Sequence, residues 1–225
     1  LIPGTATSAD YRSEGGAFTI PAGQTRTSFA IPTIDDDIHE ASETFVVRIV
    51  LDDPSLISSR RTTDETVTIV DNDAVPTLAL QSATLRVNEG DTAAVSVNLS
   101  HASSQVVTGT YRLADGTATA ADYTTSAVRT FSVPEEQTTV SINIATTEDS
   151  VHEADETFTL TVAVNDSALA SVTSPSSVTV TIVDDETVPT LSLQSAALRV
   201  NEGETVTATV NLSHPSSQII KIGRA

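Results

Sequence analysis

The sequence predicts an all-β fold, a tandem array of antiparallel β-sandwiches whose terminal units are truncated. Three observations carry that reading. The stretch Val75-Pro76-Thr77-Leu78 through Val87-Asn88-Glu89-Gly90 returns at Val188-Pro189-Thr190-Leu191 through Val200-Asn201-Glu202-Gly203, an offset of 113 residues. Self-similarity at a domain-sized period marks a tandem array, and this period is long enough for each repeat to bury its own core. Apolar and polar residues then alternate with period two in segment after segment, and no segment sustains a helical period.

The repeat frame fixes the domain limits. Residues 1–73 are the back portion of a first unit, 74–187 a complete unit, and 188–225 the opening of a third. The equivalent pairs Phe18 and Phe131, and His39 and His152, keep the 113-residue offset, whereas Gly4-Thr5-Ala6-Thr7 and Gly116-Thr117-Ala118-Thr119 differ by 112, so a one-residue indel lies between Tyr11 and Phe18. Such a frame reads as a segment of a longer array.

Within the complete unit the strands can be justified in order. Ala93, Val95, Val97 and Leu99 alternate with Thr92, Ala94, Ser96 and Asn98. Val140, Ile142 and Ile144 alternate with Ser141 and Asn143. Phe158, Leu160, Val162 and Val164 alternate with Thr157, Thr159, Thr161 and Ala163, and Val178, Val180 and Ile182 follow the same rule. Period two sends one set to a buried face and the other to solvent, and the abundant Val and Thr favour strands because they branch at Cβ. About seven short strands in roughly 110 residues, separated by Gly, Pro, Asn and Asp turns, indicate a sandwich of immunoglobulin type. The linker Asn72-Asp73-Ala74-Val75-Pro76 is short, so neighbouring units are expected end to end.

Thirty acidic residues against eleven basic ones give a net charge of −19, which disfavours nucleic acid and anionic membrane surfaces as partners. Apolar residues make up 39% of the chain and lie in regular patterns, which argues against disorder. Cysteine is absent, so neither disulfides nor thiol chemistry are available.

The acids concentrate at strand ends. In the complete unit they are Glu89, Asp115, the run Glu148-Asp149-Ser150-Val151-His152-Glu153-Ala154-Asp155-Glu156, and Asp184-Asp185-Glu186. The first unit repeats the theme in Asp35-Asp36-Asp37-Ile38-His39-Glu40, Glu43, Asp71 and Asp73. Strand ends of a sandwich can converge at one pole, where crowded carboxylates repel one another. A hard divalent cation relieves that repulsion, and Ca2+ suits a loose set of carboxylates and carbonyls better than Mg2+ does. For any single Asp a solvated surface is the default reading. For the repeated acid block joined to an acidic strand exit, metal binding leads. An EF-hand loop is excluded, because Pro76 stands where the required Gly would follow Asp71-Asn72-Asp73.

Taken in order, Val87-Asn88-Glu89-Gly90, Asp115-Gly116-Thr117-Ala118-Thr119 with Asp122-Tyr123, Asp155-Glu156-Thr157-Phe158 and Val180-Thr181-Ile182-Val183-Asp184-Asp185 resemble the Calx-beta family. Its members include the calcium-sensing modules of sodium–calcium exchangers and units of large bacterial surface proteins. The resemblance implies a seven-stranded sandwich that binds Ca2+ at one end, near the link to the next domain. It implies as ligands Glu89, Asp115, Glu148, Asp149, the carbonyl of Val151, Glu153, Glu156, Asp184, Asp185 and Glu186 in the complete unit. For the first unit it implies Asp35, Asp36, the carbonyl of Ile38, Glu40, Glu43, Asp71 and Asp73. This chain departs from the exchanger pattern in carrying Glu148, Asn72 and Glu186 where that pattern has Asp, and Pro3 takes the place equivalent to Asp115.

The four histidines form two repeat pairs, His39 with His152 and His101 with His214. Recurrence at equivalent positions favours a structural role over a catalytic one, which needs a unique setting beside a nucleophile. Aromatic content is 4%, too little for the platform a sugar-cleaving carboxylate pair would want. The expectation is therefore a non-enzymatic calcium-binding module in the repeat region of an extracellular or cell-surface adhesion protein. Calcium ions and neighbouring Calx-beta units are the expected partners, together with a protein or glycan adhesion target. The alternatives are a regulatory calcium sensor of a membrane transporter and a spacer attached to an extracellular enzyme. Because the third unit carries opening strands that the first lacks, head-to-tail self-association is a further expectation.

Overall fold

The computed structural model describes residues 1–12, 14–56, 62–125 and 129–223. In chain order the strands begin with β1 (Ile2–Pro3), β2 (Ile38–His39), β3 (Glu43–Val50), β4 (Thr62–Ile69), β5 (Thr77–Leu80), β6 (Thr84–Asn88), β7 (Thr92–Leu99) and β8 (Ala102–Ser103). They continue with β9 (Val107–Asp115), β10 (Thr130–Val133), β11 (Thr139–Ala145), β12 (Glu156–Val164), β13 (Ser171–Val172), β14 (Ser177–Val183), β15 (Leu191–Leu193) and β16 (Val210–Leu212). Among the described residues the helical content is one 3-10 turn, Pro54–Leu56.

Two compact units emerge. One holds Leu1–Pro76 with His101–Val106 and Pro134–Gln137; the other holds Thr77–Ser100, Val107–Val133 and the chain from Thr138 onward. Their limits in space therefore differ from the repeat frame in sequence: short loops of a following repeat fold with the repeat before it.

In the second unit, a five-stranded sheet of order β10-β9-β12-β14-β6 faces a four-stranded sheet of order β11-β7-β5-β13. The alternation read from sequence is what fills the space between them. Ala93, Val95, Val97 and Leu99 of β7 are buried against Phe158, Leu160 and Val162 of β12 and Val178, Val180 and Ile182 of β14, with Ile142 and Ile144 of β11 beside them. Removing each such large aliphatic or aromatic side chain from water contributes about 1.5–3 kcal/mol, which offsets the entropy of ordering short strands. Within each sheet the same alternation sets register: Val95 sits opposite Ile142, and Phe158 opposite Val180. A one-residue slip would turn every one of these side chains toward solvent.

The sandwich is not wholly antiparallel. β6 pairs with β14 in parallel, and β5 with β13 in parallel. The reason is local. The opening segment divides at Gln81–Ala83, where the Ser82 hydroxyl both accepts from the Thr84 N–H and donates to the Thr84 carbonyl. Its two halves thus join opposite sheets while running in one direction, beside returning strands that run the same way.

In the first unit the sheet has order β1-β3-β4, over a small core of Ala6, Tyr11, Phe45 and Val47. Phe18 and Phe29 stack with ring centroids 5.0 Å apart, yet they are 42% and 47% exposed, while their repeat equivalents Phe131 and Ile142 are 7% and 4% exposed. In the second unit, β15 and β16 pair antiparallel but leave Leu191, Leu193, Val210 and Leu212 exposed, although the equivalents Leu78, Leu80, Val97 and Leu99 are buried.

Candidate metal centre

The site is built from the hydrophobic core outward. In the second unit Phe158 is fully buried near the start of β12 and stacks on Tyr123, with ring centroids 4.2 Å apart and an interplanar angle of 18°. This stack anchors the turn Thr119–Tyr123 and so positions Asp122, whose Oδ2 accepts from the N–H (2.7 Å) and hydroxyl (2.9 Å) of Thr119. The first unit repeats the device: Tyr11 stacks on Phe45 at 4.1 Å, and Asp10 Oδ2 accepts from the N–H and hydroxyl of Thr7 at 2.6 and 2.9 Å.

Around that anchor the widely separated acids meet. Carboxylate oxygens of Glu89, Asp184 and Glu186 lie within 4.8 Å of one another; so do those of Asp122, Glu153 and Glu156, and those of Glu148, Asp185 and Glu186. Glu89, Asp122, Glu153, Glu156 and Asp184 line a single small depression. Asp149 joins them through its N–H, which donates to Glu89 Oε1 at 3.0 Å. The main chain arranges the rest. Glu153 N–H donates to Asp184 Oδ1 at 2.9 Å, His152 Nδ1 bonds Asp184 Oδ2 at 2.7 Å, and Val151 N–H donates to Asp149 Oδ1 at 2.6 Å. Glu89 reaches the pole because its strand runs beside β14 and its own N–H donates to the Val183 carbonyl at 3.0 Å. Gly90, at φ +76°, then turns the chain into β7.

In the first unit, Asp10, Glu40 and Glu43 group in the same manner. Asp35, Asp36, Asp71 and Asp73 line one depression with them. Ile38 does not line it; its N–H donates to Asp36 Oδ1 at 2.8 Å, closing the same short turn that Val151 closes on Asp149. Asp115 joins none of the acid groups among the described residues, and its carboxylate accepts the Tyr123 hydroxyl instead. Burial, with that bond and the Asp115 charge, pushes the Tyr123 phenol up to about 12.

Asp10 and Asp122 are the residues that sequence reasoning did not assign to the site. A signal for them was present, since the motif Gly-Thr-Ala-Thr-X-X-Asp-Tyr carries Asp at the same place in both repeats.

The electrostatics are those of crowded, partly desolvated carboxylates. Glu89 is pushed up to about 7 by desolvation and by the charges of Asp149, Glu186 and Glu148, despite the compensating Asp149 N–H. Glu156 is likewise pushed up to about 7, by desolvation, the charge and hydrogen bond of Asp122, and the charge of Glu153. In the first unit Glu40 is raised by burial and by Asp10, Glu43, Asp36 and Asp71. Burial also raises Glu43, assisted by Asp10. Asp71 moves the other way: burial opposes its charge, but the N–H groups of Glu40 and Asp73 and the ring of His39 outweigh that and lower it.

A calcium ion fits this donor set. Twice a typical Ca2+–oxygen distance of about 2.4 Å is about 4.8 Å, so oxygens grouped within that span can share one ion. Glu186 Oε2 is shielded from solvent and has no hydrogen-bond partner among the described residues. An orphaned carboxylate oxygen inside a ring of carboxylates is what a hard cation would satisfy.

A sequence profile of the Calx-beta domain matches residues 3–73 and 71–186. No curated protein matches the chain. Among solved structures, the crystal structure of CBD12 from CALX1.2 is 21% identical at a TM-score of 0.46, and the match covers 57% of this chain and 53% of that one. This chain thus spans about half the length of that structure. The crystal structure of the apo-form Calx CBD1 domain is 26% identical at a TM-score of 0.44, covering 50% of this chain and all (100%) of that one. The calcium binding domain CBD12 of CALX1.1 is 22% identical at a TM-score of 0.45, covering 56% of this chain and 53% of that one. The profile runs through both acid-bearing repeats, from Pro3 to Glu186, and the chain belongs to the Calx-beta domain family.

Proposed function

We propose that this chain is a non-catalytic calcium-binding module of an extracellular or cell-surface protein, in which Ca2+ stiffens the connection between successive repeats. The observation that carries the reading is the orphaned Glu186 Oε2, set among Glu89, Asp184, Glu148 and Asp185. Glu89, Asp184 and Glu186 would hold one ion, with Glu148, Asp149 and Asp185 beside it. Glu153, Glu156 and Asp122 would supply an adjoining set, and Asp10, Glu40, Glu43 and Asp71 the counterpart in the first repeat. The ion supplies the positive charge that lets these carboxylates ionise together. Asp184, Asp185 and Glu186 lie on the link to the next repeat, so binding there would restrict that link. An extracellular module needs affinity only on the order of 10⁻⁴ to 10⁻³ M, because the ion is abundant there. An adhesive contact with a protein or glycan would then be presented by an array that Ca2+ holds extended.

Titration calorimetry with Ca2+, Mg2+ and EGTA tests the reading. Heat with Ca2+, reversed by EGTA and accompanied by a higher melting temperature, is expected. No heat and no thermal shift would leave the module a passive spacer.

A second reading concerns the exposed apolar residues of the partial repeats. Phe18, Phe29 and Ile20 of the first and Leu191, Leu193, Val210 and Leu212 of the third are equivalent to residues that cover one another in the complete repeat. Pairing of one chain's third repeat with another chain's first would bury both sets. Sedimentation across a concentration series reads this out, and a mass fixed at that of one chain would end it.

A further inference from the structure

The four histidines recur in two equivalent pairs, and the metal reading gives them no task. Their surroundings give them one. In the first unit β2 pairs in parallel with β8, a loop strand from the following repeat, so that Ile38 faces Ala102 and His39 faces Ser103. Ser104 N–H donates to the His39 carbonyl at 3.0 Å. The His39 side chain meanwhile points to the strand exit, where Nδ1 bonds Asp71 Oδ2 at 3.0 Å. Three residues on, the Ala74 carbonyl is bonded by Nε2 of His101, which belongs to that same following repeat.

The second unit builds the arrangement again from different residues. His152 bridges Ser216 in parallel. His152 N–H donates to the Pro215 carbonyl at 3.1 Å, and Ser217 N–H donates to the His152 carbonyl at 3.2 Å. His152 Nδ1 bonds Asp184 Oδ2 at 2.7 Å, and His214 Nε2 bonds the Thr187 carbonyl. A carboxylate and a carbonyl only accept, so the first histidine of each pair carries its proton on Nδ1 and the second on Nε2.

We propose that each histidine pair is a clamp that holds the acidic link, Asp71–Ala74 or Asp184–Thr187, at both of its ends and ties it to a loop of the following repeat. His39 and His152 are positioning residues. Their main chains dock the loop, and their rings orient the first acid of the link. His101 and His214 fix the far end. The chemical partner of each clamp is the next repeat's extended loop, Ala102–Ser104 or Pro215–Ser217, recognised through main-chain hydrogen bonds. Loop docking and cation affinity are therefore coupled, because the residue that accepts the loop also aims the carboxylate. This inference rests on the calcium reading only for its affinity arm.

The test uses the intact chain and three variants. His152→Ala removes the ring, His152→Asn keeps a donor close to the Nδ1 position, and Ser217→Pro removes the N–H that meets the His152 carbonyl. Hydrogen exchange without metal reads the clamp directly. His152→Ala is expected to speed exchange at Glu153 and Ser217 while Leu160, deep in the core, keeps its protection, which shows that the variant folds. His152→Asn is expected to restore both. In calcium titrations, His152→Ala and Ser217→Pro should each weaken affinity about tenfold or more, the usual cost of losing a partner that orients a ligand, with His152→Asn near the parent. Unchanged exchange at Ser217 in His152→Ala overturns the clamp. Unchanged affinity in Ser217→Pro overturns the coupling. A parent that binds no calcium but shows the exchange pattern overturns the metal reading and leaves the clamp standing.

Discussion

Glu156→Gln separates the two consequences of a carboxylate cage, because they carry opposite signs. Glu156 opens β12 beside Asp122 and Glu153, and its carboxyl is pushed up from 4.5 to about 7. A folded-state value above the unfolded one means that the folded protein binds the proton more tightly. Stability is then highest below the unfolded value and falls as pH rises through 4.5 to about 7. At about 1.4 kcal/mol per pH unit the shift is worth roughly 3 kcal/mol unscreened, and solvent screening at this half-buried position reduces it to about 1 kcal/mol. Gln keeps the shape, offers an N–H to Asp122 and carries no charge. In chelator near pH 8 the variant should therefore melt about 4 °C above the parent, taking the complete sandwich as a domain of roughly 100 residues. Near pH 5 the difference should shrink toward zero. Saturating Ca2+ reverses the order, since an ion at about 100 times its dissociation constant stabilises the parent by about 2.7 kcal/mol and the variant has lost a ligand. Differential scanning calorimetry at both pH values, with EGTA and with Ca2+, reads all four cells. A variant less stable than the parent in chelator near pH 8 would refute the repulsion. Equal calcium shifts in the two proteins would refute the role of Glu156 as a ligand.

Other outcomes follow from the same geometry. In the metal-free parent, the melting temperature should fall between about pH 5 and pH 8, because Glu89 and Glu156 both ionise there against neighbouring charge, and Ca2+ should flatten that slope. Gly90→Ala should destabilise by about 1–2 kcal/mol in urea unfolding, since φ is +76° and an added Cβ would lie 2.5 Å from Glu148 Oε2. Gly203→Ala, at φ +85° with nothing within 4 Å, carries the backbone strain alone and should leave calcium binding unchanged. Phe158→Ala should cost about 3–5 kcal/mol and also weaken metal binding, because the ring that leaves is the one on which Tyr123, next to Asp122, is stacked.

Most of the sandwich could be read from the sequence, because burial writes itself into an alternating pattern. Phe158, Leu160 and Val162 were legible as a core face, and so were Val178, Val180 and Ile182. The parallel pairings of β5 and β6 were not. They depend on a bend at Ser82 that divides one apolar segment between two sheets, and alternation is indifferent to strand direction. Acids at strand ends were legible as a group, and the structure brings Glu89 to Asp184 and Glu186, and Glu153 to Glu156. Asp122 and Asp10 were hidden by their surroundings, since a motif of small residues ending in Asp-Tyr reads as a turn. What brings the Asp to the acid group is the stack of its neighbouring Tyr on a Phe distant in sequence. Asp115, also acidic and at a strand end, accepts the Tyr123 hydroxyl and stands outside the acid groups among the described residues, a difference that its place in the sequence does not signal.

That same stack belongs to a core that is independent of the acids. The core beneath it is complete on its own terms, with Phe158, Leu160 and Val180 fully buried, so the acids rest on a platform that does not depend on them. Local rules broken at one pole of an otherwise consistent fold are the expected signature of a functional site. In the complete repeat such a misfit stands at that pole, where Glu89 and Glu156 are raised toward neutrality and Glu186 keeps one oxygen without a partner among the described residues. A cation arriving there has little to reorganise, because Thr119, Glu153 and His152 already hold Asp122 and Asp184 in place. On the proposed reading, its binding energy would then go to ordering the link that follows Asp184, which His152 and His214 contact at either end.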